Sequence, residues 1–178
     1  MSADARDRIL RVADLIDRPG VSRRVDLAVP VPADLELDMA TVVGDLRLTG
    51  VLESVVDGIL VRGEVSAQLE SACARCLTDL QQPVTADVVE LFSSPSEDAE
   101  EVEAGYEITE GTIDLDTLLR DALVPAVPYR PLCSEDCKGL CAECGINRND
   151  AECSCEDFTV DARWAALEGL QLRDGENR

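Results

Sequence analysis

The chain carries 37 acidic against 16 basic side chains over 178 residues, a formal net charge of −21, with eight cysteines and no histidine. That balance disfavours unspecific gripping of phosphate backbones, which depends on clustered Lys and Arg. Without histidine, the commonest acid–base catalyst and metal ligand is gone. The length suits one ordinary domain or one with a small appended module, and the core must rest on aliphatic side chains because aromatics are only 3%.

Residues 1–10 are charged and lack the apolar stretch of a secretion signal. No run approaches the roughly 20 apolar residues that cross a bilayer. A cytoplasmic protein without membrane contact is expected, and in that reducing compartment paired cysteines point to metal rather than disulfides. Ile9, Val12, Leu15 and Ile16 recur at helical spacing, so a helix is expected over residues 5–15, ending near Arg18-Pro19-Gly20. Arg6, Arg8, Arg11, Arg18, Arg23 and Arg24 make this the one net basic stretch. A solvated helix face accounts for it, with a partner-binding arm as the alternative.

A short strand is expected over residues 24–31, closed by Pro30 and Pro32. From Asp45 the pattern alternates with period two through Leu46, Leu48, Val51 and Val55, and again through Ile59, Val61, Val65, Ala67 and Leu69. Asp57-Gly58 between these runs signals a hairpin. A further strand, residues 84–92, follows Pro83. Residues 93–105 form an acidic break, read as a solvated loop, with phosphate mimicry as the lesser alternative. Leu115, Leu118, Leu119, Ala122 and Leu123 restore helical spacing over residues 113–124, with Asp114 as cap and Pro125, Pro128 and Pro131 as stops. Residues 160–170, with Trp164, predict a closing helix. The expected fold class is α+β: a curled antiparallel β-meander, a partial barrel, with packing helices and a Cys-rich zinc-binding C-terminal segment. The division is 1–130 for the β/helix domain and 131–178 for the tail packed on it.

The cysteines fall in three groups: Cys73 and Cys76; Cys133, Cys137, Cys141 and Cys144; Cys153 and Cys155. Two residues between ligands let a tight turn aim both sulfurs at one ion, and Gly145 after Cys144 tolerates the positive φ of such a knuckle. Cys141, Cys144, Cys153 and Cys155 lie within fifteen residues and argue for a four-sulfur tetrahedral site, with zinc the favoured ion. Cys73, Cys76, Cys133 and Cys137 would form a second site tying the tail to the sheet. Spacing leaves this partition open: a rival gives Cys137 to the tail site in place of Cys153 or Cys155. Two zinc ions are favoured, one is possible, and an iron–sulfur cluster is the remaining alternative. A thioredoxin-like role for Cys73 and Cys76 would need a strand followed at once by a helix. An open catalytic zinc would need a carboxylate beside it, for which Glu135, Asp136 and Glu143 are the candidates.

The stretch from Pro125 to Cys155 resembles the YceD family, the large ribosomal RNA subunit accumulation proteins, in its Cys-Lys-Gly-Leu-Cys, Cys-Gly-Ile-Asn-Arg-Asn and Cys-Ser-Cys elements. The earlier Cys-Ala-Arg-Cys, the acidic break and the Ile-Asp-Leu helix match in order. The resemblance implies a non-enzymatic role in accumulation or maturation of large-subunit ribosomal RNA. Some members lack the second cysteine cluster, which favours pairing Cys73 and Cys76 with Cys133 and Cys137. Asn147 and Asn149 fit the pattern and are expected to bond the turn backbone between Cys144 and Cys153; Arg148 stands where an apolar residue is expected. The partner implied is a large-subunit precursor, reached through a basic ribosomal protein or assembly factor, or through direct RNA contact by Arg130, Lys138 and Arg148. The reading from another class is a zinc-dependent or thiol-redox enzyme.

Overall fold

A computed structural model describes residues 8–94, 106–155 and 163–164. Its frame is an antiparallel sheet in the order β2-β3-β4-β5, built from β2 (Ser22–Val29), β3 (Ala40–Val55), β4 (Gly58–Ala72) and β5 (Asp79–Phe92). The period-two pattern forms it because alternate side chains point to opposite faces. Leu46, Leu48, Leu52, Ile59, Val61, Val65 and Leu69 are buried on one face. A second sheet, in the order β1-β7-β6, pairs β1 (Ile9–Arg11), β7 (Thr112–Asp114) and β6 (Ile108–Thr109). Helix α1 (Asp116–Ala126) lies against β5 and β4, burying Leu118, Leu119 and Leu123 in the same core.

The expected meander is present, and it is an open sheet with β2 and β5 as its edges. The barrel part of the expectation is thus not reached. Strands extend beyond the expected limits wherever a partner strand continues the ladder. β3 starts at Ala40 against Ser71, and β5 starts at Asp79 and runs through Pro83. Proline is tolerated there because an edge strand has one unpaired side. The hairpin at Asp57 is confirmed, with Gly58 paired to Val55. Gly58 is required for space: a Cβ there would lie 2.0 Å from the Phe92 carbonyl oxygen.

The first expected helix is a correction. Residues 9–11 are extended and pair with β7, Leu10 opposite Ile113. A turn then carries Val12 and Leu15 into the core. The three-residue spacing is satisfied by strand plus turn, because the available backbone partners override local propensity. Three arginines of the basic stretch are engaged internally. Arg8 pairs with Asp116 at the start of α1, Arg23 with Asp14 at 2.7 Å, and Arg18 donates to the Asp14 carbonyl.

The helix over residues 113–124 begins later than expected because Thr112–Asp114 is β7, and it ends at Ala126 with Pro125 in its last turn. Asp114 still serves the first turn, its Oδ1 accepting the Asp116 N–H at 2.9 Å. Most of the acidic break and nearly all of the expected closing helix lie outside the described residues. Among the described residues no helix is long and apolar enough to cross a membrane.

Gly50 and Gly63 face each other across β3 and β4. A Cβ on Gly63 would sit 2.2 Å from the Thr49 carbonyl oxygen. Gly63→Ala is therefore expected to destabilise the fold by about 1–3 kcal/mol through backbone displacement. Urea denaturation measures it, and an unchanged midpoint would show that the strands can separate without cost.

Candidate metal centres

The turn between β4 and β5 holds Cys73 and Cys76. The Cys73 N–H donates to the Thr78 carbonyl and the Leu77 N–H to the Cys73 carbonyl, both at 2.9 Å. The segment after α1 brings Cys133 and Cys137 to the same place. Ala74 N–H donates to the Pro131 carbonyl at 2.8 Å, and Leu140 N–H to the Arg75 carbonyl at 3.1 Å. Arg75 Nη1 donates to the carbonyls of Glu135 and Cys137. The four sulfurs lie within 4.8 Å of one another, with Cys73 and Cys137 3.8 Å apart and Cys76 and Cys133 3.6 Å apart. Three of the four residues are buried; Cys133 is exposed.

Cys141, Cys144, Cys153 and Cys155 form a second set on the same criterion. Its knuckle repeats the backbone of the first: Cys141 N–H donates to the Ile146 carbonyl, and Gly145 N–H to the Cys141 carbonyl. The residue four after the first cysteine has positive φ in both, 59° at Leu77 and 74° at Gly145. This set is less buried, with Cys144 exposed and the other three half-buried.

The sulfur–sulfur distances of 3.6 and 3.8 Å in the first set match a tetrahedral ion, and the four sulfurs of the second set also lie close enough to hold one. With metal–sulfur bonds of about 2.3 Å, a tetrahedron has sulfur–sulfur edges of about 3.8 Å, and a disulfide would need about 2.05 Å. No carboxylate oxygen joins either set among the described residues. The electrostatics are those of crowded thiols. At Cys73, burial is the largest influence and acts upward, but N–H donors from Cys76, Arg75 and Cys133 outweigh it and bring the thiol down to about 6. At Cys141, the N–H groups of Cys144 and Glu143 lower it to about 6. The Asn149 side chain heads the influences that lower Cys137. Cys133 is pushed up to about 12, first by Cys137 and then by Cys76, and Cys155 to about 12, first by Cys144. Neighbouring thiols cannot all ionise together without a cation between them.

The structure thus gathers the eight cysteines into the favoured partition, and Cys137 does not join the tail set. Cys73 and Cys76 sit on a hairpin turn, without the following helix that a thioredoxin-like pair needs. Lys138 and Arg148 meet at an open cleft of about 490 Å³ beside the second set, which Glu143 and Glu152 also line. Arg130 is exposed and does not line that cleft. Asn147 bonds the backbone of the turn between Cys144 and Cys153 as expected, its Oδ1 accepting the Asn149 N–H at 3.1 Å, whereas Asn149 reaches outside that turn, its Oδ1 accepting the Lys138 N–H at 2.8 Å. Sequence reasoning missed its second bond, from Nδ2 to Cys137 Sγ at 3.3 Å. It also missed the grip of Arg75 on the Glu135 and Cys137 carbonyls, for which nothing local in the sequence is a signal.

A family model described as large ribosomal RNA subunit accumulation protein YceD matches residues 61–171. The chain belongs to the YceD family. The matched region holds both thiol sets, so the family's part of this chain includes β4, β5, α1 and the tail. An uncharacterised protein of Mycobacterium tuberculosis H37Rv is 36% identical over 164 residues, covering 88% of this chain and 77% of that protein. An uncharacterised protein of Mycobacterium leprae is 34% identical over 171 residues, covering 93% and 78%. A chloroplastic YCED homolog 1 of Arabidopsis thaliana, named as a large ribosomal RNA subunit accumulation protein, is 24% identical over 166 residues, covering 81% and 51%. No solved structure matches the chain.

Two outcomes follow for this YceD-family chain. Leu77 holds its left-handed conformation at a cost of about 1–2 kcal/mol, partly returned by the flexibility of any glycine replacing it. Leu77 is 64% exposed, so little burial is lost, and Leu77→Gly should raise stability by up to about 1 kcal/mol in denaturant titration. A loss would mean that the leucine packs in solution. The second concerns metal. Cys133 and Cys155, pushed up to about 12, keep protons at neutral pH in the metal-free protein and must release them on binding. As pH falls through about 6, protons also compete for Cys73 and Cys141. Metal affinity should therefore rise with pH, and chelator competition across about pH 6–8 reads it. A flat profile would contradict the thiol ionisation described.

Proposed function

We propose that this chain is a non-enzymatic factor of large-subunit ribosome assembly, acting in the cytoplasm, with a structural zinc ion in each thiol set. The observation that carries the reading is closure. Each set offers four sulfurs, which saturate a tetrahedral ion, whereas catalytic zinc keeps one position for water or substrate. An all-thiolate tetrahedral donor set suits zinc. The family name, and the printed name of the Arabidopsis relative, supply the biological direction: accumulation of large-subunit ribosomal RNA.

Charge favours a protein partner. A divalent ion held by four thiolates leaves two negative charges, so loading makes a chain already at −21 more acidic. Such a surface attracts a basic ribosomal protein or assembly factor on the large-subunit precursor. The second reading, direct RNA contact, rests on Lys138 and Arg148 sharing one cleft, where Glu143 and Glu152 dilute their field.

Zinc-loaded protein is expected to sediment with large-subunit precursors and to bind a basic ribosomal protein with steep salt dependence. Binding to naked ribosomal RNA with a salt slope of several contacts, and none to ribosomal proteins, would overturn the protein-partner reading. Chelation is expected to release the tail before the sheet, because binding free energy of a structural zinc, about 10–16 kcal/mol apparent, is largely folding free energy. Hydrogen exchange checks it: amide protection retained across residues 133–155 after chelation would sink the structural role.

A further inference from the structure

The backbone leaving the first thiol set is clasped by the loop of the second. Residues 138–140 run from Cys137 to Cys141, and residues 147–149 lie in the loop between Cys144 and Cys153. Three links join them in register. Lys138 N–H donates to Asn149 Oδ1 at 2.8 Å, Arg148 N–H to the Gly139 carbonyl at 2.9 Å, and Leu140 bridges to Asn147. Gly139 is pressed onto the first knuckle, where a Cβ would lie 3.1 Å from the Arg75 carbonyl oxygen.

Asn149 sends its side chain from this clasp to a sulfur of the other set. One Nδ2 proton goes to Cys137 Sγ at 3.3 Å and the other to Asn147 Oδ1 at 2.8 Å. Asn147 is held in turn: its Nδ2 donates to Asp150 Oδ2, and its carbonyl accepts the Asp150 and Ala151 N–H groups. A loop braced in this way has few internal freedoms left once its ends are fixed. Its ends are Cys144 and Cys153, candidate ligands of the second set.

We propose that Asn149 is a positioning residue that couples the two centres, so that metal at Cys141, Cys144, Cys153 and Cys155 raises the affinity of Cys73, Cys76, Cys133 and Cys137 for metal. This rests on the reading that both sets hold metal. Loading the tail set fixes the loop and aims the Asn149 N–H at Cys137, where it stabilises a thiolate ligand. The coupling is reciprocal, since two linked binding equilibria change each other by one factor. Half-loaded protein is then scarce, and the tail docks on the sheet as a single step when metal becomes available.

Cobalt(II) titration of the full chain tests this, since tetrahedral thiolate coordination gives it distinctive visible bands. Cys141→Ser/Cys144→Ser isolates the sheet-linked centre, and Cys73→Ser/Cys76→Ser isolates the tail centre. Asn149→Ala should weaken the sheet-linked centre about ten- to a hundred-fold. Cys141→Ser/Cys144→Ser should weaken it by a similar factor, and adding Asn149→Ala to that variant should cost little more. Asn149→Asp keeps an oxygen for the Lys138 N–H but offers the sulfur no proton, so it should be at least as weak as Asn149→Ala. Unchanged affinity in Asn149→Ala, wild-type affinity in Asn149→Asp, or full additivity of the two lesions would each overturn the coupling. Wild-type protein that develops no cobalt bands would instead sink the metal reading itself.

Discussion

The convergence of Cys73 and Cys76 with Cys133 and Cys137 is the contact on which the arrangement of the tail depends. The apolar cluster at that junction contains only the cysteines Cys73, Cys76 and Cys137, with Leu80 and Leu132 partly buried against it. Two half-buried leucines contribute a few kcal/mol at most, against about 1–2 kcal/mol of backbone entropy for each residue ordered. The hydrogen bonds at the junction run mainly to backbone carbonyls and contribute about 1 kcal/mol each. A metal tetrathiolate would be an interaction of the right size, and the sheet would supply half of its donors from a hairpin turn. The long β4–β5 ladder therefore serves the site as well as the core, since it holds two sulfurs in place before the tail arrives.

Most of this was legible in the sequence, for physical reasons. Strand alternation was readable because one face of the sheet is buried and the other is not, so Leu46, Leu48 and Leu52 announce β3 directly. The tail set was readable because its ligands are close in sequence. The sheet-linked set joins residues 57 to 64 positions apart, and residue spacing alone could not choose it over its rival. The N-terminal segment misled because Ile9, Val12 and Leu15 satisfy a helical period, while the decisive fact is a partner strand about one hundred residues away, Ile9 opposite Asp114. Arg75 lies between Cys73 and Cys76, where nothing local in the sequence signals its role. Its hydrogen bonds to residues 135 and 137 are a property of the assembled site.

Acidity and the proposed metal would reinforce each other in setting what the surface can meet. Thiols crowded at 3.6–3.8 Å cannot all ionise, so Cys133 stands far above an ordinary thiol, first through Cys137, while backbone N–H donors hold Cys73 below it in spite of its burial. A divalent cation held by four thiolates would resolve that conflict locally and would leave each centre anionic. The N–H groups around Cys73 and Cys141, and the Asn149 amide at Cys137, spread that charge into the backbone. Lys138 and Arg148 share their cleft with Glu143, Glu152 and three cysteines of the tail set, a setting in which two cations give local orientation more readily than tight grip of a polyanion.

The two knuckles show how context decides which residue a shared geometry tolerates. Both close with the same pair of backbone hydrogen bonds and the same left-handed residue. In the tail, where no strand ladder enforces the turn, that residue is Gly145, which adopts the conformation without strain. On the hairpin it is Leu77, and the strain is sustained because β4 and β5 over-determine the turn from both sides. Strain held by a sheet marks the hairpin knuckle as already formed by the fold, so its thiols are gathered whether or not metal is present. The tail knuckle lacks that support and must be organised by its ligands. The sheet-linked centre thus starts half built, and what completes it is the ordered tail that brings Cys133, Cys137 and Asn149 into place.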